Sequence, residues 1–345
     1  MLANMSSGAV AAKAHTLYRY RLTAEDYTQL SSKRNLSEVV GYLKADTAYT
    51  DLLQNVQETG VHRHQLEFLL HKSYFRTYEK LRRFISGPDG GFFDYPGRLA
   101  ELQMLLSAIE YVTAPTHTDF VSGLPLYLDH HLPFDVAALG RVSSYGDILH
   151  VMRGTPFYDT LKRYEPPAGL RLDFVSCEFA LRREYYDWLF GAVKKLPRTA
   201  RGDVEELFQR QVELINISNI YRMKRFYGMP PGRIAELVFP HYGNMGEKQL
   251  RALVEAPDMD TFWEMLDRSP YGEAFASSDH GFIENTTHRI RDFYSRRAFR
   301  RRHDAAAVFA TYLFLLETEI ENIITIAEGV SFGLEPAEIA RLLII

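Results

Sequence analysis

The sequence has very little cysteine and lacks any long uninterrupted hydrophobic run. Its single cysteine, Cys177, excludes a disulfide framework within the chain and is most simply a small apolar core residue in a reducing compartment. No histidine or asparagine signature accompanies it, which disfavours a nucleophilic role. The longest apolar run, residues 305–316, is far short of the roughly 20 residues that span a bilayer, so any membrane role is expected to be peripheral.

The chain also lacks a large charge of either sign. Lysine and arginine together number 40 against 44 aspartate and glutamate, which gives a net charge of -4. The electrostatic footprint of a nucleic-acid-binding protein is therefore absent overall. Residues 1–13 are predicted to form an N-terminal tail, and they do not resemble a signal peptide because no basic residue precedes their mildly apolar stretch.

Motifs for nucleotide and serine chemistry are missing as well. There is no G-x-x-x-x-G-K-[ST] loop, no G-x-S-x-G elbow and no H-E-x-x-H pair, so no direct nucleotide binding, catalytic residue or cofactor is predicted. One short motif resembles the metal-binding triplet of a phosphoesterase superfamily: the adjacent residues Asp129, His130 and His131. Their surroundings are predicted to be helical and lack the companion aspartates of such sites, so a metal-dependent phosphoesterase is kept only as an alternative.

Internal repeats organise the chain. Residues 138–158 and 252–272 align without a gap, and residues 22–49 are a third version. Each copy reads as a short helix, a polar break, a second short helix and a turn that carries an aromatic residue, at Tyr49, Phe157 and Tyr271. Long amphipathic segments follow these turns, and no convincing strand alternation occurs. The predicted fold is all-α, with three units of about 110 residues each.

A second repeated pattern spans residues 213–237 and 319–342. Each copy places an asparagine, Asn216 or Asn322, inside an apolar helical run. A buried amide must find hydrogen-bond partners, so each asparagine is expected to bind the backbone of the preceding segment and to fix how the long helices cross. Glycine should end each helix and proline should open the next. The structural residues predicted here are Asn216, Gly228, Pro231, Asn322, Gly333 and Pro336, with Gln103 replacing asparagine in a degraded first copy at residues 98–114.

A cluster of arginines near the end of a predicted helix is the strongest local concentration of charge. One interpretation is a solvated helix end, where cations complement the helix dipole. The other is a docking site for an acidic partner surface. Both interpretations concern Arg296, Arg297, Arg300, Arg301 and Arg302.

The paired segments at residues 213–237 and 319–342, with LTAEDYTQL near the start and LVFPHYGNMGEKQLRALVEA between them, resemble the C subunit of the prokaryotic V/A-type rotary ATPases. The eukaryotic counterpart is the d subunit of the V-ATPase. This resemblance runs from about residue 14 to the end. It implies three similar helical bundles, residues 14–125, 126–240 and 241–345, in a pseudo-threefold funnel.

The resemblance also implies a function. The chain would be a non-catalytic central-stalk subunit, peripheral at the cytoplasmic face of the membrane, during ATP-linked proton or sodium transport. It would couple the shaft formed by the D and F subunits to the membrane proteolipid rotor ring, with one copy per complex and a monomer in isolation. A helical-repeat scaffold for unrelated partners is the main alternative, weakened because the usual periods of about 34 to 47 residues are not met.

Overall fold

A computed structural model describes residues 2–85, 91–113, 125, 127–128, 132–167, 169–276 and 282–345, with side chains from residue 8 onward. These residues form helices joined by turns, and no β-strand occurs among them. The predicted all-α class is confirmed. Asp129, His130 and His131 lie outside the described residues.

The described residues of the first half of the chain form one long N-terminal helix, several short helices and two further long ones. Its helices are α1 (Leu2–Tyr18), α2 (Ala24–Ser31), α3 (Leu36–Asp46), α4 (Thr50–Leu53), α5 (Arg63–Arg82), α6 (Tyr95–Thr113), α7 (Val136–Leu139), α8 (Tyr145–Val151) and α9 (Tyr158–Arg163). A short 3-10 helix, Gly91–Asp94, precedes α6. Because α1 begins at Leu2, it overlaps the predicted N-terminal tail, and Val10 within it is buried.

Longer helices dominate the second half. They are α10 (Phe174–Lys194), α11 (Arg198–Arg225), α12 (Pro231–Glu236), α13 (Gly246–Glu255), α14 (Met259–Asp267), α15 (Gly272–Ala276), α16 (Ile283–Arg301), α17 (Ala305–Ser331) and α18 (Pro336–Leu342). Local signals set several starts: Thr23 and Ser144 form capping boxes, and Asp258 and Asp304 accept hydrogen bonds from the first turns of α14 and α17.

The chain divides into two compact units. One comprises residues 1–86 and 197–345, and the other comprises residues 87–196. The division into repeats at residues 14–125, 126–240 and 241–345 remains a prediction.

Helix α17 forms the core of the first unit. It packs against α1, α5, α11 and α16. Its first twelve residues, 305–316, are all buried, which accounts for the longest apolar run of the sequence. A helix that is apolar on every face is stable in water only when neighbours cover it on every side.

The directions of α11, α16 and α17 follow from contacts at their ends. Arg302, just after α16, pairs with Asp203 near the start of α11 at 2.5 Å. Arg222, near the end of α11, lies 3.8 Å from Glu284 at the start of α16. Asn285, also at the start of α16, donates to the Leu342 carbonyl beyond α17 at 3.1 Å. Helices α11 and α17 are therefore parallel, and α16 is antiparallel to both.

The second unit is built on the pair α6 and α10, with α8 and α9 packed beside them. Arg98 of α6 stacks over the Trp188 ring of α10 at 4.3 Å. Tyr145 donates to the Leu161 carbonyl at 2.9 Å and lies 3.8 Å from the Cys177 sulfur. Burial raises the pKa of the Cys177 thiol, which keeps it protonated as expected of a core residue.

Candidate functional site

Asn216 of α11 is fully buried and binds one residue of the backbone with both ends of its amide. Its Nδ2 donates to the Phe239 carbonyl at 3.0 Å, and its Oδ1 accepts from the Phe239 N–H at 2.9 Å. The amide thus satisfies the backbone N–H and carbonyl of Phe239, which lie outside any helix. It fixes the chain beyond α12 against α11.

Asn322 of α17 repeats this geometry. Its Nδ2 donates to the Ile344 carbonyl and its Oδ1 accepts from the Ile344 N–H, both at 2.8 Å. The partner lies 22 residues later, against 23 for Asn216. In both copies the bound backbone follows the helix, whereas the sequence pattern predicts a preceding segment.

Glu213, one turn before Asn216, is a second anchor. Its Oε1 accepts from the backbone N–H groups of Gly243, Met245 and Gly246 at 2.9, 3.0 and 3.2 Å. Its Oε2 accepts from the Tyr271 hydroxyl at 2.7 Å. A buried carboxylate with four donors is compensated for the loss of hydration. Glu213 therefore holds the loop before α13 and the turn before α15 to one point of α11.

Glu319 of α17 is the matching residue, three positions before Asn322. Its Oε2 accepts from the Leu22 N–H and the Arg21 Nε at 3.0 Å, and its Oε1 accepts from the Tyr49 hydroxyl at 2.9 Å. Burial raises the pKa of this carboxyl, and Arg21 opposes that shift. Burial raises the pKa of the Tyr49 hydroxyl, and the nearby Glu319 carboxylate raises it further. Here the bound segments come from the first 50 residues of the chain.

The first copy of this pattern, residues 98–114 in the second unit, has no buried side-chain amide that matches Asn216 and Asn322. Gln103 is exposed, while Glu101 and Met104 of α6 are buried like Glu213 and Asn216. The correspondence of Gln103 with the asparagines is therefore displaced by one residue. Glu101 Oε1 is buried and has no hydrogen-bond partner among the residues that the structure describes, and burial raises the pKa of its carboxyl to about 7. Phe157 stands at the repeat position of Tyr49 and Tyr271 and brings no hydroxyl group.

The sequence pattern contains signals for the glutamates. Glutamate precedes asparagine by three positions in both 213–237 and 319–342, and the aligned turns carry tyrosine in the same two copies. Only the structure joins these signals, because Tyr49 and Glu319 are 270 residues apart.

Gly228 and Gly333 follow the last residues of α11 and α17 with φ of +56° and +70°. The N–H of Met229 reaches back to the Met223 carbonyl at 3.0 Å, and that of Leu334 to the Gly329 carbonyl at 2.9 Å. The second is a Schellman helix end, whose bond spans five residues, and in the first the bond spans six; both place a glycine at positive φ. Pro231 and Pro336 are the first residues of α12 and α18.

The arginine cluster divides into paired and exposed members. Arg296 pairs with Asp292 at 2.5 Å, and Arg302 pairs with Asp203 at 2.5 Å and with Glu206 at 3.5 Å. Arg296 therefore forms an ion pair within α16, and Arg302 links the end of α16 to α11. Three others are exposed and form no ion pair within the described part of the chain: Arg297, Arg300 and Arg301.

Comparison with known proteins assigns the family. The model of the ATP synthase (C/AC39) subunit family matches residues 10–342. This chain belongs to the ATP synthase (C/AC39) subunit family. The resemblance noted in the sequence is thereby confirmed.

Curated relatives of this C/AC39 chain are named as C subunits of A-type ATP synthases. The protein of Methanococcoides burtonii is 24% identical over 219 residues, which cover 62% of this chain and 59% of the relative. That of Methanosarcina mazei is 26% identical over 141 residues, covering 41% and 37%. That of Methanosarcina barkeri is 22% identical over 205 residues, covering 58% and 54%. The match thus spans less than two thirds of each relative.

Two further observations concern the C/AC39 chain. No described helix is both long and apolar enough to cross a bilayer. No group of three or more histidine, cysteine, aspartate or glutamate side chains suited to a metal ion occurs in the part of the chain that the structure describes.

Proposed function

We propose that this chain is a non-catalytic central-stalk subunit of a V/A-type rotary ATPase. It couples the shaft formed by the D and F subunits to the membrane proteolipid rotor ring during ATP-linked proton or sodium transport. The observation that carries this proposal is the family match over residues 10–342. The protein binds no nucleotide itself, acts at the cytoplasmic face as a peripheral component, and is a monomer until it joins the complex as one copy.

The proposed architecture is a pseudo-threefold funnel of three helical repeats, residues 14–125, 126–240 and 241–345. Its wide face would rest on the ring, and its cavity would take the tip of the shaft. The repeated anchors support this proposal, because Asn216 with Glu213 and Asn322 with Glu319 fix equivalent segments to parallel helices. A part that transmits torque needs such stiffness, and buried, fully bonded polar groups supply it.

The exposed arginines at the end of α16 are proposed to contact an acidic surface of the shaft. Side chains already held in ion pairs would have to give them up to bind a partner. The contact is therefore assigned to the three exposed members of the cluster, Arg297, Arg300 and Arg301.

An affinity pull-down from gently solubilised native membranes tests the proposal. The tagged chain should recover the proteolipid, the D and F subunits and the catalytic head together. Changing the three exposed arginines to glutamate should reduce recovery of D and F and leave recovery of the proteolipid unchanged. A control with three other exposed basic residues changed to glutamate, Lys248 and Arg251 of α13 and Arg268 just after α14, should behave like the unmodified chain.

Two outcomes would count against it. Recovery of none of these proteins, from membranes in which the motor is intact, would refute the stalk assignment. Equal losses of D and F in the arginine variant and in its control would refute the shaft contact alone.

A further inference from the structure

Two aromatic turns project from one end of the first unit. Helices α11 and α17 are parallel, so the turns that follow them, residues 225–232 and 331–338, lie at the same end. Phe226 and Tyr227 are 66% and 64% exposed in the first turn, and Phe332 is 77% exposed in the second. Adjacent exposed apolar side chains mark interaction sites more often than single ones do. The positive-φ glycines Gly228 and Gly333, with a backbone hydrogen bond across each helix end, hold both turns in a defined conformation.

The two turns differ in charge. Exposed Arg225 precedes Phe226 and forms no ion pair within the described residues, and Arg222 one turn earlier is only loosely paired with Glu284, at 3.8 Å. The second turn instead carries exposed Glu335 and Glu338 and no basic residue. The same scaffold thus presents an aromatic turn with basic side chains and an aromatic turn with acidic ones.

Aromatic rings beside arginine suit the surface of an anionic bilayer. Tyrosine and tryptophan concentrate at the membrane–water interface, where an apolar ring body and a polar edge are both accommodated. Phenylalanine on the apolar side of an interfacial segment adds buried area. Arginine near the surface is attracted to anionic headgroups, by an amount that falls off within a Debye length. The acidic turn is repelled by the same headgroups.

We propose that the turn at residues 225–232 binds the headgroup region of an anionic lipid bilayer. Phe226 and Tyr227 enter the interface, and Arg225 and Arg222 contact the phosphates. The turn at residues 331–338 makes no such contact. This direct contact with lipid goes beyond the proposed function and does not rest on it, since it requires neither the rotor ring nor the shaft.

Vesicle flotation with the purified full chain tests the proposal. One set of vesicles contains phosphatidylglycerol mixed with phosphatidylcholine, and the other contains phosphatidylcholine alone. We expect the unmodified chain to float with the anionic vesicles and to remain free with the neutral ones. Raising the salt concentration should release it, because screening weakens attraction between exposed charges.

The two copies of the turn provide matched variants. The double change Phe226→Ser and Tyr227→Ser should lower partitioning by about tenfold, since two rings leave the interface. Arg225→Ala should lower it by about fivefold, the loss of one basic side chain near the surface. The equally exposed Phe332→Ser should have no effect. All four residues are exposed, so unchanged thermal unfolding is the expected check on folding.

Several results would overturn the proposal. Equal flotation with neutral and anionic vesicles would refute the charge contribution. A loss in Phe332→Ser as large as that in the double variant would refute the assignment to residues 225–232. Binding that survives the double variant but disappears when Arg297, Arg300 and Arg301 become glutamate would place the contact at the opposite end of α16. Binding only to vesicles that also contain the proteolipid ring would assign the turn to a protein partner.

Discussion

Replacement of Asn216 by leucine removes the amide anchor while nearly conserving side-chain volume. The N–H and carbonyl of Phe239 then lose their partners at 2.9 and 3.0 Å. Phe239 and Asn216 are both buried, so water cannot easily replace the amide. Each buried backbone group left unsatisfied costs about 1–3 kcal/mol, which gives about 2–6 kcal/mol for the pair. Asn322→Leu should cost a similar amount, because its two bonds to Ile344 have the same geometry.

Urea unfolding followed by circular dichroism measures the effect as a shift of the transition midpoint at constant slope. Gln103→Leu is the matched control: its side chain is exposed, so its effect should stay within about 0.5 kcal/mol. The hydrogen-bond reasoning is refuted if Asn216→Leu costs less than about 1 kcal/mol. It is equally refuted if the Gln103 variant loses as much stability as the other two.

Three further changes test the glutamates and a helix end. Tyr271→Phe deletes the hydroxyl group that donates a hydrogen bond to Glu213. It should lower the free energy of unfolding in a urea melt by about 1.5–3 kcal/mol, as expected for a hydrogen bond to a charged group. Glu101→Gln concerns a pKa raised from 4.5 to about 7, so Glu101 should contribute a loss of up to about 3 kcal/mol as pH rises between these values, and the variant should lack that share of the loss; parallel profiles would contradict this. Gly333→Ala, at φ +70° with open space around it, should cost about 1–2 kcal/mol of thermal stability, and no loss would contradict the αL helix end.

The pH prediction depends on the sign of the Glu101 shift. Because the folded state holds the proton more tightly than the unfolded state, folding binds protons between pH 4.5 and about 7. The contribution of Glu101 to stability therefore falls with rising pH across that window and is constant above it. The neutral amide of glutamine has no proton to lose. Its advantage should be absent near pH 4.5 and complete above about pH 7.

Local features of the fold were predictable from local sequence. The helix ends at Gly228 and Gly333 depend on a conformation that glycine adopts readily, and Pro231 and Pro336 supply a φ suited to the first turn of a helix. Burial of Asn216 follows from its place in an apolar stripe. What those amides bind did not follow, because helical periodicity gives the face of a side chain and not the segment that packs against it.

The spacing of residues in the sequence does not identify hydrogen-bond partners that lie far apart in the chain. Glu319 is held by Arg21, Leu22 and Tyr49, which lie 298, 297 and 270 residues earlier in the chain. The repeat is informative here, since Glu213 and Tyr271 are only 58 residues apart and make the same contact. An equivalent pair in one copy thus identifies the distant pair in the other.

The first copy shows what these anchors require. Where glutamate and tyrosine are both present, as in Glu213 with Tyr271 and Glu319 with Tyr49, both carboxylate oxygens are bonded. At Glu101 the aligned aromatic residue is Phe157, and one carboxylate oxygen is buried with no hydrogen-bond partner in the described part of the chain. A carboxyl group in that position is best accommodated as the neutral acid, which agrees with its raised pKa. The second unit therefore carries a repeat position at which burial favours the protonated acid, whereas in the two complete anchors other residues of the chain donate hydrogen bonds to both carboxylate oxygens.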